Sequence, residues 1–246
     1  MDRSLRVTCL RARTSDRTDG AGAGAQALAE RLGGRVVGEA SPGRPHDWSE
    51  DLPEAQPVLE AAAAEITAAI DQNEFPLLTA SDCSICIATM PTVARRVPGV
   101  RFLWIDAHGD FNTPGTTPSG FLGGMCLGAA CARWDAGWPD TVDPQDVWFL
   151  GVRDLDPGEK VEVEAAGVGW GVPDDGPVYV HLDLDGLDPS VMPVQFPVPG
   201  GLEASEVRET LEALVRDGRL VGLEVTAFEH PEHLDLVLEI LEPVAR

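Results

Sequence analysis

The stretch "PVYVHLDLDGLDPS" runs from Pro177 to Ser190. Its first half is nearly all apolar. Its second half places Asp183, Asp185 and Asp188 within six residues. An apolar run without polar alternation reads as a strand buried on both faces, as in a parallel sheet covered by helices. Carboxylates are expensive to bury unpaired, so acids at the end of such a strand call for a cation. Open parallel sheets place their sites outside the carboxyl ends of the strands. This stretch therefore predicts both a parallel α/β sheet and a charged site at its edge.

The rest of the chain repeats the alternation. Strand patterns occur at "LRVTCLRA", "VVGEA", "FPLLTA", "VRFLWIDA", "DVWFLGVRDL" and "LVGLEVTAF". Helical patterns occur at "AQALAERLGG", "VLEAAAAEITAAI", "ICIATMPTVARRV", "GEKVEVEAAG", "ASEVRETLEALVRDG" and "HLDLVLEILEPVA". In the second helix Val58, Leu59, Ala62, Ile66 and Ile70 share one face. The segment "SPGRPHDWSEDLPEAQP" reads as a polar, proline-rich loop, and "NTPGTTPSGFLGG" as a loop leading into "MCLGAACARW". The pattern predicts one domain over residues 1–246, with a mainly parallel sheet of about eight strands covered on both faces.

The formal charge of -23 would repel phosphate backbones and anionic lipid, so neither nucleic acid nor membrane is an expected partner. No apolar run is long enough to span a bilayer, and no signal-peptide pattern opens the chain, which predicts a cytoplasmic protein. The five cysteines are an odd number in a long chain, which argues against a disulfide scaffold. Cys83 and Cys86 form a CxxC, but no second ligand pair accompanies it and it follows a long helix. Neither GxGxxG nor GxxxxGK[ST] is present.

Two further strands end in candidate ligands. "TASDCS" carries Asp82 and Cys83, and "WIDAHGDFN" carries Asp106, His108, Asp110 and Asn112. Residues i, i+2 and i+4 of an extended chain share a face, so Asp106, His108 and Asp110 are expected to point one way. His181, Asp183 and Asp185 are expected to do the same. Any one of these aspartates could be a turn former or an N-cap. Two such triplets on neighbouring strands would crowd like charges that divalent cations relieve. Carboxylates with one or two imidazoles suit Mn²⁺, Mg²⁺ or Fe²⁺, whereas a thiolate tilts a site toward Zn²⁺.

With these stretches in hand, the chain resembles the ureohydrolase, or arginase–agmatinase, superfamily. "SDCS", "WIDAHGDFNTPGTTPSG", "HLDLDGLDPS" and "PVPGGL" match in the family order, and the middle two are the most specific. The resemblance implies a three-layer α/β/α fold and a two-manganese centre. One metal would be held by Cys83, Asp106, Asp110 and Asp183, the other by Asp106, His108, Asp183 and Asp185. A hydroxide between them would attack the carbon of a guanidino or amidino substrate, releasing urea and an amine when the substrate is a guanidine. Zn²⁺ or Fe²⁺ would compete for a site containing Cys83. The resemblance also implies a small-molecule guanidino substrate and a homo-oligomer.

Departures from the family pattern sharpen the reading. Cys83 stands where the family usually has histidine, as it does in hydroxyarginine hydrolases. Gly123 stands where arginases carry a histidine that relays protons. His181 replaces a small residue and is a candidate catalytic or orienting group, alongside Asp110. Ala227 stands where a glutamate pairs with the guanidinium, and Glu224 or Glu229 could substitute for it. Asn112, Thr117 and Ser119 match residues that contact an α-carboxylate. Three readings follow: a metal-dependent hydrolase of guanidino compounds, a relative specialised for N-hydroxyarginine or another modified arginine, and a catalytically silent regulatory homologue.

Overall fold

The computed structural model describes residues 3–246. Its strands are β1 (Leu5–Leu10), β2 (Arg35–Val37), β3 (Phe75–Ala80), β4 (Arg101–Ile105), β5 (Val147–Leu150), β6 (Gly169–Trp170), β7 (Val178–Asp183) and β8 (Leu220–Thr226). The helices are α1 (Gly20–Arg31), α2 (Trp48–Asp71), α3 (Cys86–Arg96), α4 (Cys126–Ala130), α5 (Pro157–Ala166), α6 (Ala204–Arg216) and α7 (Leu234–Ala245). The strands form one sheet in the order β2-β1-β3-β8-β7-β4-β5-β6. Every pairing is parallel.

The apolar strands explain the layers. β3, β7 and β8 are buried along their whole lengths, so each must be covered on both faces. One core packs Leu59 and Ile66 of α2 and Met90 of α3 against Trp104 and Phe149 of the sheet. The other packs Leu28 of α1, Leu211 of α6 and Ile240 of α7 against Leu103, Val180 and Leu223. Alternation along a strand sends neighbouring residues to opposite cores, as Leu103 and Trp104 show.

Two expectations change. The predicted loop at residues 41–57 contains the first ten residues of α2, which begins at Trp48. Asp47 accepts from the Ser49 amide at 3.0 Å and forms a capping box with Glu50. Arg13 meets Asp51 at 2.6 Å in a buried ion pair that ties this first turn to the loop after β1. Pro53 and Pro57 each forfeit one helical hydrogen bond, but their fixed φ suits the helix. The second change is β6, a two-residue edge strand too short for its pattern to be read from the sequence.

The carboxyl ends of β3, β4, β7 and β8 lie side by side in the middle of the sheet. This juxtaposition of residues distant in sequence builds the site.

Candidate metal centre

Beyond Ile105 the chain leaves the sheet. Asp106 turns back on itself, its Oδ1 accepting from the His108 amide at 2.7 Å. Asp110 adopts φ +49°. The simple alternation expected for Asp106, His108 and Asp110 therefore fails, because the strand has already ended. The same occurs on β7. Asp183 ends the strand and caps a short turn over Leu184–Gly186, accepting from the Asp185 amide at 2.7 Å. His181 and Asp183 do alternate, but Asp185 reaches the site from the turn.

The two turns are stitched together. The Ala107 amide donates to Asp185 Oδ1 at 3.1 Å. Arg153, just beyond β5, donates to the carbonyls of Asp185 at 3.1 Å and Gly186 at 3.2 Å. It also donates to Val198 O at 2.7 Å, holding the "PVPGGL" loop over the turn. Asp188 is spent on that loop, accepting from the Ser190 amide at 3.0 Å and the Gly200 amide at 2.8 Å.

Two overlapping donor clusters result. Cys83, Asp106, His181 and Asp183 each offer one atom within 4.8 Å of the others, and so do Asp106, His108 and Asp185. Cys83 Sγ lies 2.7 Å from Asp183 Oδ2, and His108 Nδ1 lies 3.0 Å from Asp185 Oδ2 and 3.4 Å from Asp106 Oδ1. Asp106 Oδ2 is buried with no hydrogen-bond partner among the described residues. Asp110 lines the same pocket but belongs to neither cluster, whereas His181 belongs to one.

The electrostatics follow from crowding. Burial, then the charge of Asp185, pushes Asp183 up to about 8. Burial and the neighbouring carboxylates hold Asp106 and Asp110 well above the usual range. Burial and Asp183 raise the Cys83 thiol. Burial disfavours a charged His108, but hydrogen bonds to Asp106 and Asp185 outweigh it and push the imidazole up to about 12. Burial would also raise Asp185, yet the His108 hydrogen bond holds it below its ordinary value. A site this rich in acceptors and this poor in donors suits divalent cations.

Around the centre, the expected residues divide. Glu224 is fully buried and accepts from Tyr179 Oη at 2.9 Å, with His181 Nδ1 at 2.7 Å, so it lies beneath the site and does not line the pocket. Its expected contact with substrate is corrected on that ground: β8 does not bulge at Glu224, which pairs in register with His181 and Leu78. Glu229 does line the pocket, tethered by the Thr18 hydroxyl. Ala227 lines it too, at φ +56°. A Cβ at Gly123 would sit 2.5 Å from the Phe121 ring, so that ring fills the space a side chain would need.

Beside the pocket is a neighbouring cavity lined by Asn112, Ser119, Asp154, Asp156, Glu159 and Phe196. Asn112 Nδ2 donates to Asp156 at 3.0 Å, while its Oδ1 is buried and unpartnered. Thr117 is not in the lining: its hydroxyl accepts from the Gly120 amide at 3.1 Å and holds the loop turn. Asp154, Asp156 and Glu159 were not among the expected residues. "VRDLDPGE" has a detectable signal, two aspartates at i and i+2 after an apolar strand. Asp16, which lines the pocket from the loop after β1, has no such signal.

The chain is similar to known proteins in sequence and in fold. A family model described as "Arginase family" matches residues 45–172 and 169–231. An N(omega)-hydroxy-L-arginine amidinohydrolase of Streptomyces lavendulae is 38% identical over 227 residues, covering 87% of this chain and 83% of the relative. An arginase of Bacillus caldovelox is 34% identical over 218 residues, covering 75% and 72%. Among solved structures, the arginase of Bacillus subtilis superposes with a TM-score of 0.84 at 25% identity, covering 99% of this chain and 98% of that one.

Proposed function

The chain belongs to the arginase family, and from this premise we propose that it hydrolyses a C–N bond of a guanidino amino acid using two divalent cations. The observation that carries the proposal is the pair of donor clusters sharing Asp106, whose buried Oδ2 has no partner among the described residues.

The donors fit such ions. Asp106 and Asp183 would bridge, His108 and Asp185 would complete one position, and Cys83 would serve the other, with Asp110 at its edge. Mn²⁺ is the ion we infer from the carboxylate-rich set, and Cys83 leaves Zn²⁺ or Fe²⁺ as competitors. Bound there, the cations would acidify water and so supply a nucleophile for the electrophilic guanidinium carbon.

The chain's own residues do the rest. Asp110, buried and facing the pocket, would hold a proton from the attacking water. Asn112 and Ser119 would orient the substrate's α-carboxylate, and Asp156 its α-amino group. Glu229 would face the guanidino end. Phe121 and Phe196, 5.6 Å apart, would exclude water from the mouth.

A second reading has a specific observation behind it. Phe121 fills the space beside Gly123, leaving no side chain there to carry a proton to a basic amine. The leaving ornithine amine is the same for arginine and N-hydroxyarginine, so what favours the hydroxylated substrate is the 38% identity to an N(omega)-hydroxy-L-arginine amidinohydrolase, together with this departure from the arginase pattern. We also infer a cytoplasmic homo-oligomer from the family likeness; no described helix is long and apolar enough to cross a membrane.

Turnover by Mn²⁺-loaded protein, followed as ornithine release from arginine and from N-hydroxyarginine, tests both readings. We expect a higher kcat/KM for the hydroxylated substrate. Equal or reversed preference would reject the specialised reading, and no release from either would reject the hydrolase.

A further inference from the structure

We propose that His181 is a direct metal ligand, its Nε2 completing the cluster of Cys83, Asp106 and Asp183, and that Glu224 is the residue that positions it. The inference rests on the metal-dependent reading above. It changes the donor set that the family resemblance implies, in which position 181 has no such part.

The geometry of the ring carries the argument. His181 is buried near the end of β7, one alternation before Asp183. Its Nδ1 lies 2.7 Å from Glu224 Oε1 on the neighbouring strand. The other Glu224 oxygen accepts from Tyr179 Oη at 2.9 Å. A carboxylate only accepts, so Nδ1 carries the proton and Nε2 presents a lone pair. Trp104 of β4 stacks on the imidazole, with centroids 3.7 Å apart and planes 4° from parallel. The ring is thus fixed in tautomer, plane and direction before any ligand arrives. A histidine whose far nitrogen is held by a carboxylate is the arrangement in which metal-binding histidines are oriented.

The surroundings of Nε2 point the same way. Its one protein partner is the Thr226 hydroxyl, at 3.4 Å. That hydroxyl also lies 3.3 Å from Asp183 Oδ2 and 3.2 Å from Cys83 Sγ. It has a single proton and cannot satisfy all three. Asp106, in the same cluster, has a buried Oδ2 with no partner among the described residues. The Cys83 thiol donates to Asp183 Oδ2, and the Thr226 proton is shared, so three acceptors, Asp183, Asp106 and His181 Nε2, converge with fewer protons than they need.

The register explains how an imidazole can move in sequence and still serve the centre. Cys83 follows β3, and His181 sits on β7; between those strands lies β8, which supplies Thr226 and Glu224. A cation beside Cys83 would be reached from position 181 across β8.

The test needs no substrate. Apoprotein is titrated with Mn²⁺ and metal per chain measured after desalting, for wild type, His181→Gln and Glu224→Gln. We expect two Mn²⁺ per wild-type chain. In His181→Gln, one of the two should be lost or bound at least about tenfold more weakly, and Glu224→Gln should weaken the same site about 10- to 100-fold. Should a variant fail to fold, wild type supplies the second readout. The chain has five histidines, so protein labelled with ¹⁵N-histidine and loaded with Zn²⁺ can be read ring by ring. Ligation should shift the His108 Nδ1 and His181 Nε2 resonances and leave His46, His230 and His233 unmoved. A folded His181→Gln protein that keeps both metals at wild-type affinity would overturn the proposal. So would a His181 Nε2 resonance that ignores Zn²⁺. Metal-loaded protein that shows the His181 shift but cleaves no guanidino compound would overturn the proposed function and leave this ligand standing.

Discussion

The ends of β4 and β8 supply one pocket in opposite ways. Beyond β4 the chain delivers Asp106, His108 and Asp110, all titratable, and orients them by tight local turns. At β8 the carboxylate points away from the opening: Glu224 is sealed under His181. Thr226 offers only a hydroxyl, and Ala227 no functional group. Beyond it Glu229 is held by Thr18 from another loop. The β4 end brings titratable side chains of its own to the pocket, whereas the β8 end contributes by what it hydrogen-bonds and what it packs against. Two buried strands flanking β7 in one sheet need not play identical roles.

The largest expected effect would confirm the β4 side. Asp106→Ala should remove the carboxylate shared by both donor clusters, and activity should fall by at least about 10³-fold, the loss expected when metal-derived stabilisation of several kcal/mol disappears. Metal content and turnover measured together check this. A variant that retains both metals would break the comparison.

The next test strikes the packing of the β8 end. A Cβ on Gly24 of α1 would fall 1.7 Å from Phe228 O, so Gly24→Ala must displace the segment after β8. Overpacking of this kind costs about 1–3 kcal/mol. Urea unfolding should report that loss while metal affinity at the β4 end changes little.

A smaller effect separates two residues of the loop after β4. Asn112→Ala removes a buried unpartnered oxygen from a residue lining the cavity proposed to hold the substrate's α-carboxylate, and KM should rise about tenfold, near 1.4 kcal/mol. Thr117→Ala should leave KM nearly unchanged, because its hydroxyl serves the turn. Steady-state kinetics on both variants decides it.

The mildest test is pH. Asp183 is raised to about 8, and Asp16, by burial and then by Asp82, to about 7. With folded values above the ordinary carboxylate range, the folded state binds more protons than the unfolded chain between about pH 4 and 8. Stability of chelator-stripped protein should therefore fall as pH rises through that window. Metal-loaded protein should not follow, because cations replace the protons. Melting curves at about pH 5.5 and 8 suffice, and a stripped protein more stable at the higher pH would contradict the assignment.

Most of the architecture was legible beforehand because buried parallel strands are written as continuous apolar runs. The runs ending at Ala80, Ile105 and Asp183 located three of the strand ends that form the pocket. The first turns of α2 were not legible: prolines and charges in "DWSEDLPEAQP" look like a loop until the Asp47 cap and the Arg13–Asp51 pair are seen. Asp154 and Asp156 carried the same spacing signal as the other acidic strand ends and could have been found by it.

What the sequence by itself determined is therefore the parallel α/β class and the presence of clustered acids at the strand ends, since hydrophobic periodicity and clustered carboxylates are local properties of the chain. What only the tertiary structure decided is direction. His181 faces Cys83, Asp106 and Asp183, Glu224 faces His181, and Asp110 stands outside both clusters. Those orientations depend on which strands are neighbours and where each strand ends. Strand order arises from packing over the whole sheet, and no local spacing encodes it.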